Sequence, residues 1–139
     1  MSVPNQINVP AAWRGSYMKE NPDLWLYNLN AAEINELENA ASKFILSGEQ
    51  LGKISKKNFV LTKFSSFLSS LQDQLRNGIG FKLIRGLPVN DYDPEMYSTI
   101  FCGIGSYLGV ARSQNAAGHL LGHVRDIGLN IKDPNSRVY

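Results

Sequence analysis

The sequence predicts a single α+β domain in which three amphipathic helices pack on short strands. The chain has 139 residues, which is enough for one hydrophobic core and too few for two comfortable domains. Its 43% hydrophobic and 19% charged residues are typical of a globular chain rather than a disordered one. Three segments carry apolar residues at helical spacing, and a short apolar run between the second and third has the character of a strand.

Residues 1–30 are predicted to form an irregular lead-in. Three prolines interrupt the first 22 residues, and no hydrophobic period is present there. We expect Trp13 and Tyr17 to anchor this segment. Residues 24–29 (LWLYNL) alternate aromatic and aliphatic side chains and predict a short extended piece.

The first helix is predicted over Ala31–Ser47. Asn30 can cap its N-terminus, and Glu33 stands three residues later, as a capping box requires. Gly48 suits the left-handed residue that follows many helices. The apolar positions of this helix repeat at three and four and define one buried face: Ile34, Leu37, Ala41, Phe44 and Ile45.

The second helix is predicted from about Thr62 to Asn77, with Gly78 after its end. Its outer face carries serines and other polar residues. Because such a helix buries only one face, we expect it to cover an apolar partner. The apolar stripe consists of Phe64, Phe67, Leu68, Leu71 and Leu75.

The strand beneath these helices is predicted over Phe81–Arg85, which is too apolar for a solvated edge. A third helix begins at Asp93-Pro94, an N-cap acceptor followed by proline at the first helical position. Gly103 and Gly105 lower its helix propensity, so we expect close packing against another backbone there. Its predicted buried face is Met96, Tyr97, Ile100, Phe101, Ile104, Tyr107 and Leu108.

The C-terminal part is predicted to contain a loop, a strand and a turn. After Gly109 ends the third helix, residues 113–118 are predicted to form a polar loop. Residues 119–124 are predicted to form a second strand, and residues 132–136 (KDPNS) a turn.

Charge and cysteine content exclude several classes of function. The net charge is only +2, and the basic residues are scattered, so a nucleic-acid interface is not predicted. The densest basic cluster, Lys53, Lys56 and Lys57, reads as a solvated loop. The single cysteine, Cys102, lies in an apolar run and is expected to be a buried structural thiol.

No membrane-spanning or secretory segment is predicted. The start lacks a basic segment followed by an apolar one, and no window approaches 18 consecutive apolar residues. A single cysteine also permits no intramolecular disulfide and fits a reducing compartment. We therefore expect a cytoplasmic protein without a membrane partner.

The only two histidines, His119 and His123, are four residues apart. On a helix they could share a metal ion, but Gly118 and Gly122 oppose a helix there. On a strand they would lie about 13 Å apart, too far for one ion. A shared metal is therefore disfavoured but stays open. The adjacent Arg125 and Asp126 would point to opposite faces of a strand and would not pair.

Residue motifs supply no catalytic set. Neither Gly-x-Gly, at residues 78–80 and 103–105, has the strand-turn-helix setting of a dinucleotide fingerprint. GxSxG, P-loop, CxxC and HExxH motifs do not occur in the sequence. Glu33 and Glu36 are expected on a solvated helix face rather than in a pocket.

Several longer stretches, taken in order, resemble the N-terminal part of the TauD/TfdA-like family of Fe(II)- and 2-oxoglutarate-dependent dioxygenases. They are AAWRGSYM, LWLYNLNAAEINELENA, FSSFLSSLQDQLRNGIGFKLIRGLPV and YSTIFCGIGSYLGVARSQNAAGHLLGHVRDIG. The last stretch is the most specific, because it combines the helix, its LG end, the SQN loop and the GHLLGHVRD segment. Four matches in the same order argue against chance agreement.

The resemblance implies a double-stranded β-helix (jelly-roll) oxidoreductase acting on a small-molecule substrate. In that family a His-x-Asp pair and a distant His hold iron, and an Arg binds the carboxylate of 2-oxoglutarate. The fold expected here is three amphipathic helices on the first strands of an incomplete jelly roll. Residues 31–139 would then be the N-terminal part of such a domain, truncated before its iron-binding motif.

This sequence departs from the family at the iron motif, because it contains no His-x-Asp. No iron-binding, 2-oxoglutarate-binding or catalytic residue can be transferred from the family, and no cofactor is expected for this chain alone. Four residues match the family's loop and strand ahead of the iron motif and can lie near substrate: Ser113, Gln114, Asn115 and His119. The alternative role of these polar groups is to satisfy the loop backbone.

Three functional interpretations stay open. The chain is a truncated dioxygenase that is inactive alone, a non-catalytic module or relic that dimerises or binds a partner through an uncovered apolar face, or a metal or ligand protein using its two histidines. With the rest of a barrel missing, a homo-oligomer is one expected outcome. The incomplete sheet also predicts that roughly the last 15 residues are loosely held.

Overall fold

The computed structural model describes residues 7–122 of the chain. Their main elements are helix α1 (Gly15–Glu20), strand β1 (Leu26–Asn28), helix α2 (Ala31–Leu46), helix α3 (Phe64–Asn77), strand β2 (Leu83–Arg85) and helix α4 (Pro94–Leu108). Short 3-10 turns lie at Pro22–Leu24, Leu51–Lys53 and Val89–Asp91. No helix within residues 7–122 is long and apolar enough to cross a membrane.

Helices α2 and α4 begin as the local sequence predicts. The Asn30 side chain accepts the Glu33 N–H at 3.0 Å, and the Glu33 carboxylate accepts the Asn30 N–H at 2.9 Å, which completes the capping box. Asp93 caps α4 by accepting the Met96 N–H at 2.8 Å, with proline next in the helix. Gly48 adopts the predicted left-handed conformation, with φ of 69°.

The core lies mainly among α2, α3 and α4. Its best-buried side chains come from all three helices and from the segment that precedes α3: Leu37, Phe59, Phe64, Leu68 and Ile100. The strands pack at the edge of this core, where Tyr27 and Ile84 are partly buried. The prediction that the helices chiefly cover the strand is therefore wrong, because they chiefly cover one another.

Strands β1 and β2 pair in parallel, with Leu26 opposite Leu83 and Asn28 opposite Arg85. Within residues 7–122 this sheet has two strands, so each keeps one unpaired edge. The predicted strand is two residues too long at its start and is not fully buried, since Leu83 is 47% exposed. Whether these strands open a jelly roll stays a prediction.

The lead-in is more ordered than predicted, because it contains α1, a 3-10 turn and β1. Trp13 does anchor it: the Trp13 ring lies 4.9 Å from that of Phe81, and its Nε1 donates to the Ile79 carbonyl at 2.9 Å. Tyr17 does not, since it is 54% exposed. Met18 is buried in its place.

Two predictions about α4 are wrong: the backbone packing of its glycines and part of its buried face. Gly103 packs against the side chain of Phe59 rather than against a backbone, and a Cβ at Gly103 would lie 2.5 Å from the Phe59 ring. A Cβ at Gly105 would meet nothing within 4 Å. Tyr97 and Phe101, predicted on the buried face, are 38% and 66% exposed.

Candidate functional site

The four residues predicted near substrate come together in one tight polar turn after α4. Ser113 Oγ donates to the Asn115 carbonyl at 2.8 Å, and the Gln114 N–H donates to the His119 carbonyl at 2.7 Å. The Asn115 side chain spans the turn by accepting the His119 N–H at 3.1 Å. The polar side chains of the loop thus form hydrogen bonds with the loop's own backbone, which accounts for its polar composition.

The orientation of the His119 ring follows from Asn115. Because the Asn115 Oδ1 accepts the His119 N–H, the amide Nδ2 is left to face the His119 Nδ1, at 2.9 Å. An amide nitrogen can only donate, so Nδ1 accepts and Nε2 carries the proton of the neutral ring. His119 is exposed, and its Nε2–H is therefore available to donate to a ligand. Proximity of these residues to a substrate stays a prediction.

The predicted second strand does not form in its described part. Residues 119–122 make a bend rather than a ladder, because the His119 backbone bonds are taken up by Gln114 and Asn115 within the turn. Residues 123–124 lie outside the described residues. So do His123, the Arg125-Asp126 pair, the predicted turn at 132–136 and the residues expected to be loosely held.

The described residues do not fit an iron site. Within residues 7–122 no three His, Cys, Asp or Glu side chains are grouped so that they could hold a metal ion. His119 has an amide, Asn115, as its side-chain neighbour rather than a carboxylate. A facial triad needs two histidines and a carboxylate, so no step through iron can be assigned to these residues.

Glu36 has a structural role that its sequence position does not reveal. Its Oε1 accepts the Thr62 N–H at 2.6 Å, the Thr62 hydroxyl at 2.7 Å and the Lys63 N–H at 3.0 Å, while its Oε2 accepts the Phe64 N–H at 2.9 Å. Burial raises the pKa of this carboxyl, but the hydrogen bonds outweigh it and lower the pKa to about 2. The expectation that Glu36 is merely solvated is therefore wrong.

The bond from Glu36 replaces a local cap for α3. Lys63, at the N-cap position, makes no side-chain cap, so the first N–H groups of α3 are satisfied from α2. Glu36 and Thr62 are 26 residues apart in the sequence and come into contact only in the folded chain. Helical periodicity carries no signal for such a contact.

Two tyrosine–carboxylate bonds hold other elements onto α2. The Tyr27 hydroxyl donates to Glu33 at 2.6 Å, and the Tyr92 hydroxyl donates to Glu38 at 2.6 Å. The bond to Glu33 raises the pKa of Tyr27, and burial followed by the Glu38 bond raises the pKa of Tyr92. Both phenols therefore stay protonated and act as donors, which suits structural links better than acid–base chemistry.

A large apolar groove of about 850 Å³ is the main concave feature near the polar turn. It lies between α3, β2 and α4, with Leu75, Ile84, Phe101 and Ile104 among its walls. Leu121, just past the turn, also lines it. The groove is open and contains one cationic side chain, that of Lys82, so it suits an apolar occupant.

Cys102 is half-buried rather than fully buried. Burial raises the pKa of its thiol, which keeps it protonated at neutral pH. This agrees with a structural rather than a reactive cysteine.

The chain is similar to two curated proteins. It is 27% identical over 134 residues to a taurine hydroxylase-like protein of Stachybotrys chartarum, a match that covers 96% of this chain and 34% of the relative. It is 26% identical over 116 residues to the FR-33289 synthase of Streptomyces rubellomurinus, covering 81% of this chain and 34% of the relative. No family model matches the chain. The chain thus spans about a third of the length of these relatives, and its resemblance to the N-terminal portion of TauD-like proteins is confirmed.

Proposed function

We propose that this chain is the N-terminal part of a TauD/TfdA-like Fe(II)- and 2-oxoglutarate-dependent dioxygenase. The observation that carries the proposal is the match to a taurine hydroxylase-like protein across 96% of this chain and only 34% of the relative. The whole protein would be an oxidoreductase acting on a small-molecule substrate. Its fold would be a jelly roll to which the present helices and β1–β2 contribute the first layer.

In this proposal the described residues contribute structure and one wall of the substrate site. Iron and 2-oxoglutarate would be held by residues that this sequence does not contain, since it has no His-x-Asp. The polar turn at Ser113–His119 would present the Nε2–H of His119 toward substrate. The chain alone is then inactive, and its helices serve as a scaffold.

Reading the transcript past the codon for Tyr139 is the first test. An open frame that continues into a Phe/Tyr-His-x-Asp segment supports the proposal. The second arm compares the 139-residue chain with the extended one in an assay of Fe(II)-dependent succinate formation from 2-oxoglutarate. We expect succinate formation with the extended chain and none with the 139-residue chain. Turnover by the 139-residue chain would refute the proposal that the residues binding iron and 2-oxoglutarate lie outside this sequence.

In an active extended protein, the His119→Ala variant tests the role of the turn. If His119 donates to substrate, KM for the substrate rises severalfold, while KM for 2-oxoglutarate and the iron content stay unchanged. The matched control is Ser113→Ala, which removes a bond internal to the turn. Equal effects of both variants on every parameter would assign His119 a purely structural part.

The second candidate is a non-catalytic module that binds another protein through its apolar face. It is favoured by the groove and by the exposure of Phe101, which is 66% accessible on α4. Light scattering of the purified chain tests it. A stable dimer supports this candidate, whereas a monodisperse monomer that binds no apolar-surface dye counts against it.

A further inference from the structure

The groove between α3, β2 and α4 combines apolar walls with a single positive charge. Its walls include Leu75, Ile84 and Phe101, and Phe101 is 66% exposed. Within residues 7–122 the lining side chains include one cation, Lys82, and no carboxylate. The groove therefore presents an apolar surface beside a positive charge that no other lining residue balances.

The backbone places the Lys82 ammonium at the margin of the groove. Lys82 and Ile84 both line the groove and Leu83 does not, as the alternation of an extended segment requires. Lys82 Nζ donates to the Leu24 carbonyl at 3.1 Å, and Leu24 lies outside the lining. This neutral oxygen holds the ammonium without cancelling its charge. Because an ammonium has three N–H donors, two are left for a ligand.

The dimensions and chemistry of the groove suit a linear alkyl chain. Its volume of about 850 Å³ lies in the range of about 300–1,000 Å³ found for small-molecule sites. Along α4 the lining runs from Tyr97 to Leu108, a rise of about 17 Å at about 1.5 Å per residue.

A peptide fits the groove less well than an alkyl chain. Besides Lys82, the polar side chains of the lining within residues 7–122 are the hydroxyls of Tyr92, Tyr97 and Ser98. That of Tyr92 already donates to Glu38. A peptide would bring backbone N–H and C=O groups that need partners, whereas an alkyl chain brings none.

We propose that the groove binds a free long-chain carboxylate, a linear alkyl chain that ends in one anionic group. The carboxylate accepts from the Lys82 ammonium, and the chain lies along α4 against Phe101 and Ile104. Each buried CH₂ group contributes about fourfold in affinity, so chain length and charge both determine binding. The proposal does not depend on the dioxygenase assignment.

Calorimetry of the 139-residue chain with three probes below their micelle concentrations tests the binding. Decanoate should bind at least about tenfold more tightly than the shorter hexanoate, because fewer CH₂ groups of hexanoate are buried. It should also bind about tenfold more tightly than decanol, which has a similar chain and no charge.

Two pairs of variants separate the charge from the apolar wall. Lys82→Gln should lower the affinity for decanoate about tenfold and leave that for decanol unchanged, whereas Lys57→Gln, at an exposed site outside the lining, should change neither. Phe101→Asp should weaken both ligands at least about tenfold, and Val110→Asp, at a 92% exposed site, should not. Circular dichroism checks that all four variants stay folded.

Tryptophan fluorescence tests the orientation of the ligand. The rings of Trp13 and Trp25 lie 4.9 Å and 6.2 Å from that of Phe81, the residue before Lys82. A bromine on the carbon next to the carboxylate should therefore quench tryptophan more than a bromine at the far end of the chain. The proposal is overturned if both bromines quench equally, if decanol binds as tightly as decanoate or if the members of a pair behave alike. A dimer that excludes decanoate would also overturn it, since a second copy would then fill the groove.

Discussion

At the scale of single residues, Glu36 contributes most beyond what local sequence shows. Removing its carboxylate with Glu36→Ala strands the N–H groups that open α3. We expect a loss of about 2 kcal/mol in the free energy of unfolding, since hydrogen bonds to charged groups contribute about 1.5–3 kcal/mol. Urea unfolding measures this, and Glu95→Ala, at an exposed site in α4, is the control expected to change stability little.

The same residue predicts a pH dependence. The pKa of Glu36 is lowered in the folded chain, from 4.5 to about 2, so its stabilisation is fully present above pH 4.5 and is lost as pH falls through about 2. The stability difference between wild type and Glu36→Gln should therefore shrink between pH 5 and pH 2. A difference that stays constant across this range would show that the carboxylate charge does not matter.

Tyr107 gives a second prediction at this scale. Its buried hydroxyl accepts the Leu61 N–H at 2.8 Å and donates to the Phe59 carbonyl at 3.1 Å. Tyr107→Phe leaves both backbone groups without this partner, and we expect a loss of about 2 kcal/mol. Tyr97→Phe, on the exposed part of the same helix, should cost little when both are compared by thermal unfolding.

At the scale of elements, the two glycines of α4 should respond in opposite directions. Gly103→Ala drives a methyl group into the ring of the fully buried Phe59, so we expect a loss of about 1–3 kcal/mol in the free energy of unfolding. Gly105→Ala meets open space and should gain up to about 1 kcal/mol from helix propensity. Equal effects of the two variants in urea unfolding would contradict the packing described for α4.

Elements with local signals were predictable, and those set by distant contacts were not. The Asn30–Glu33 box and the Asp93 cap lie within a few residues of the helices they start, so sequence places these starts. Helix α3 begins at Phe64 rather than at Thr62, because its first N–H groups bind a carboxylate on another helix. Helix α1 escaped prediction since its six residues are too few to show a period.

In the candidate site, too, some features were predictable from the sequence and others were not. Residues 113–118 could be predicted to form a polar loop, because small polar residues and glycine cluster there, whereas His119 was wrongly predicted to begin a strand. The conformation of that loop depends on two hydrogen bonds of the Asn115 side chain, one to the His119 backbone N–H and one to the His119 ring. Composition does not specify these bonds. An uncovered apolar face was expected, but its location could not be predicted, because the periodic stripe of α4 does not reveal which apolar residues lack a partner.

At the scale of the whole molecule, the N-terminal segment and the helical core should unfold together. Both tryptophans lie in the segment before α2, where Trp13 binds the Ile79 carbonyl and Trp25 O accepts the Leu83 N–H. Tryptophan fluorescence therefore reports on this end, and far-ultraviolet circular dichroism reports mainly on α2, α3 and α4. We expect the two urea transitions to coincide. An earlier fluorescence transition would show that the N-terminal segment opens separately.

The parallel pairing of β1 with β2 also has a consequence for synthesis on the ribosome. Leu26 pairs with Leu83, so β1 leaves the peptidyl-transferase centre 57 residues before its partner (83 minus 26). At about 5–20 residues per second, that delay is roughly 3–11 s. Helices α2 and α3 are both made within it, so the nascent chain carries an unpaired strand while its helices collapse. Until residue 85 has been added, β1 therefore lacks the partner strand that it has in the folded chain.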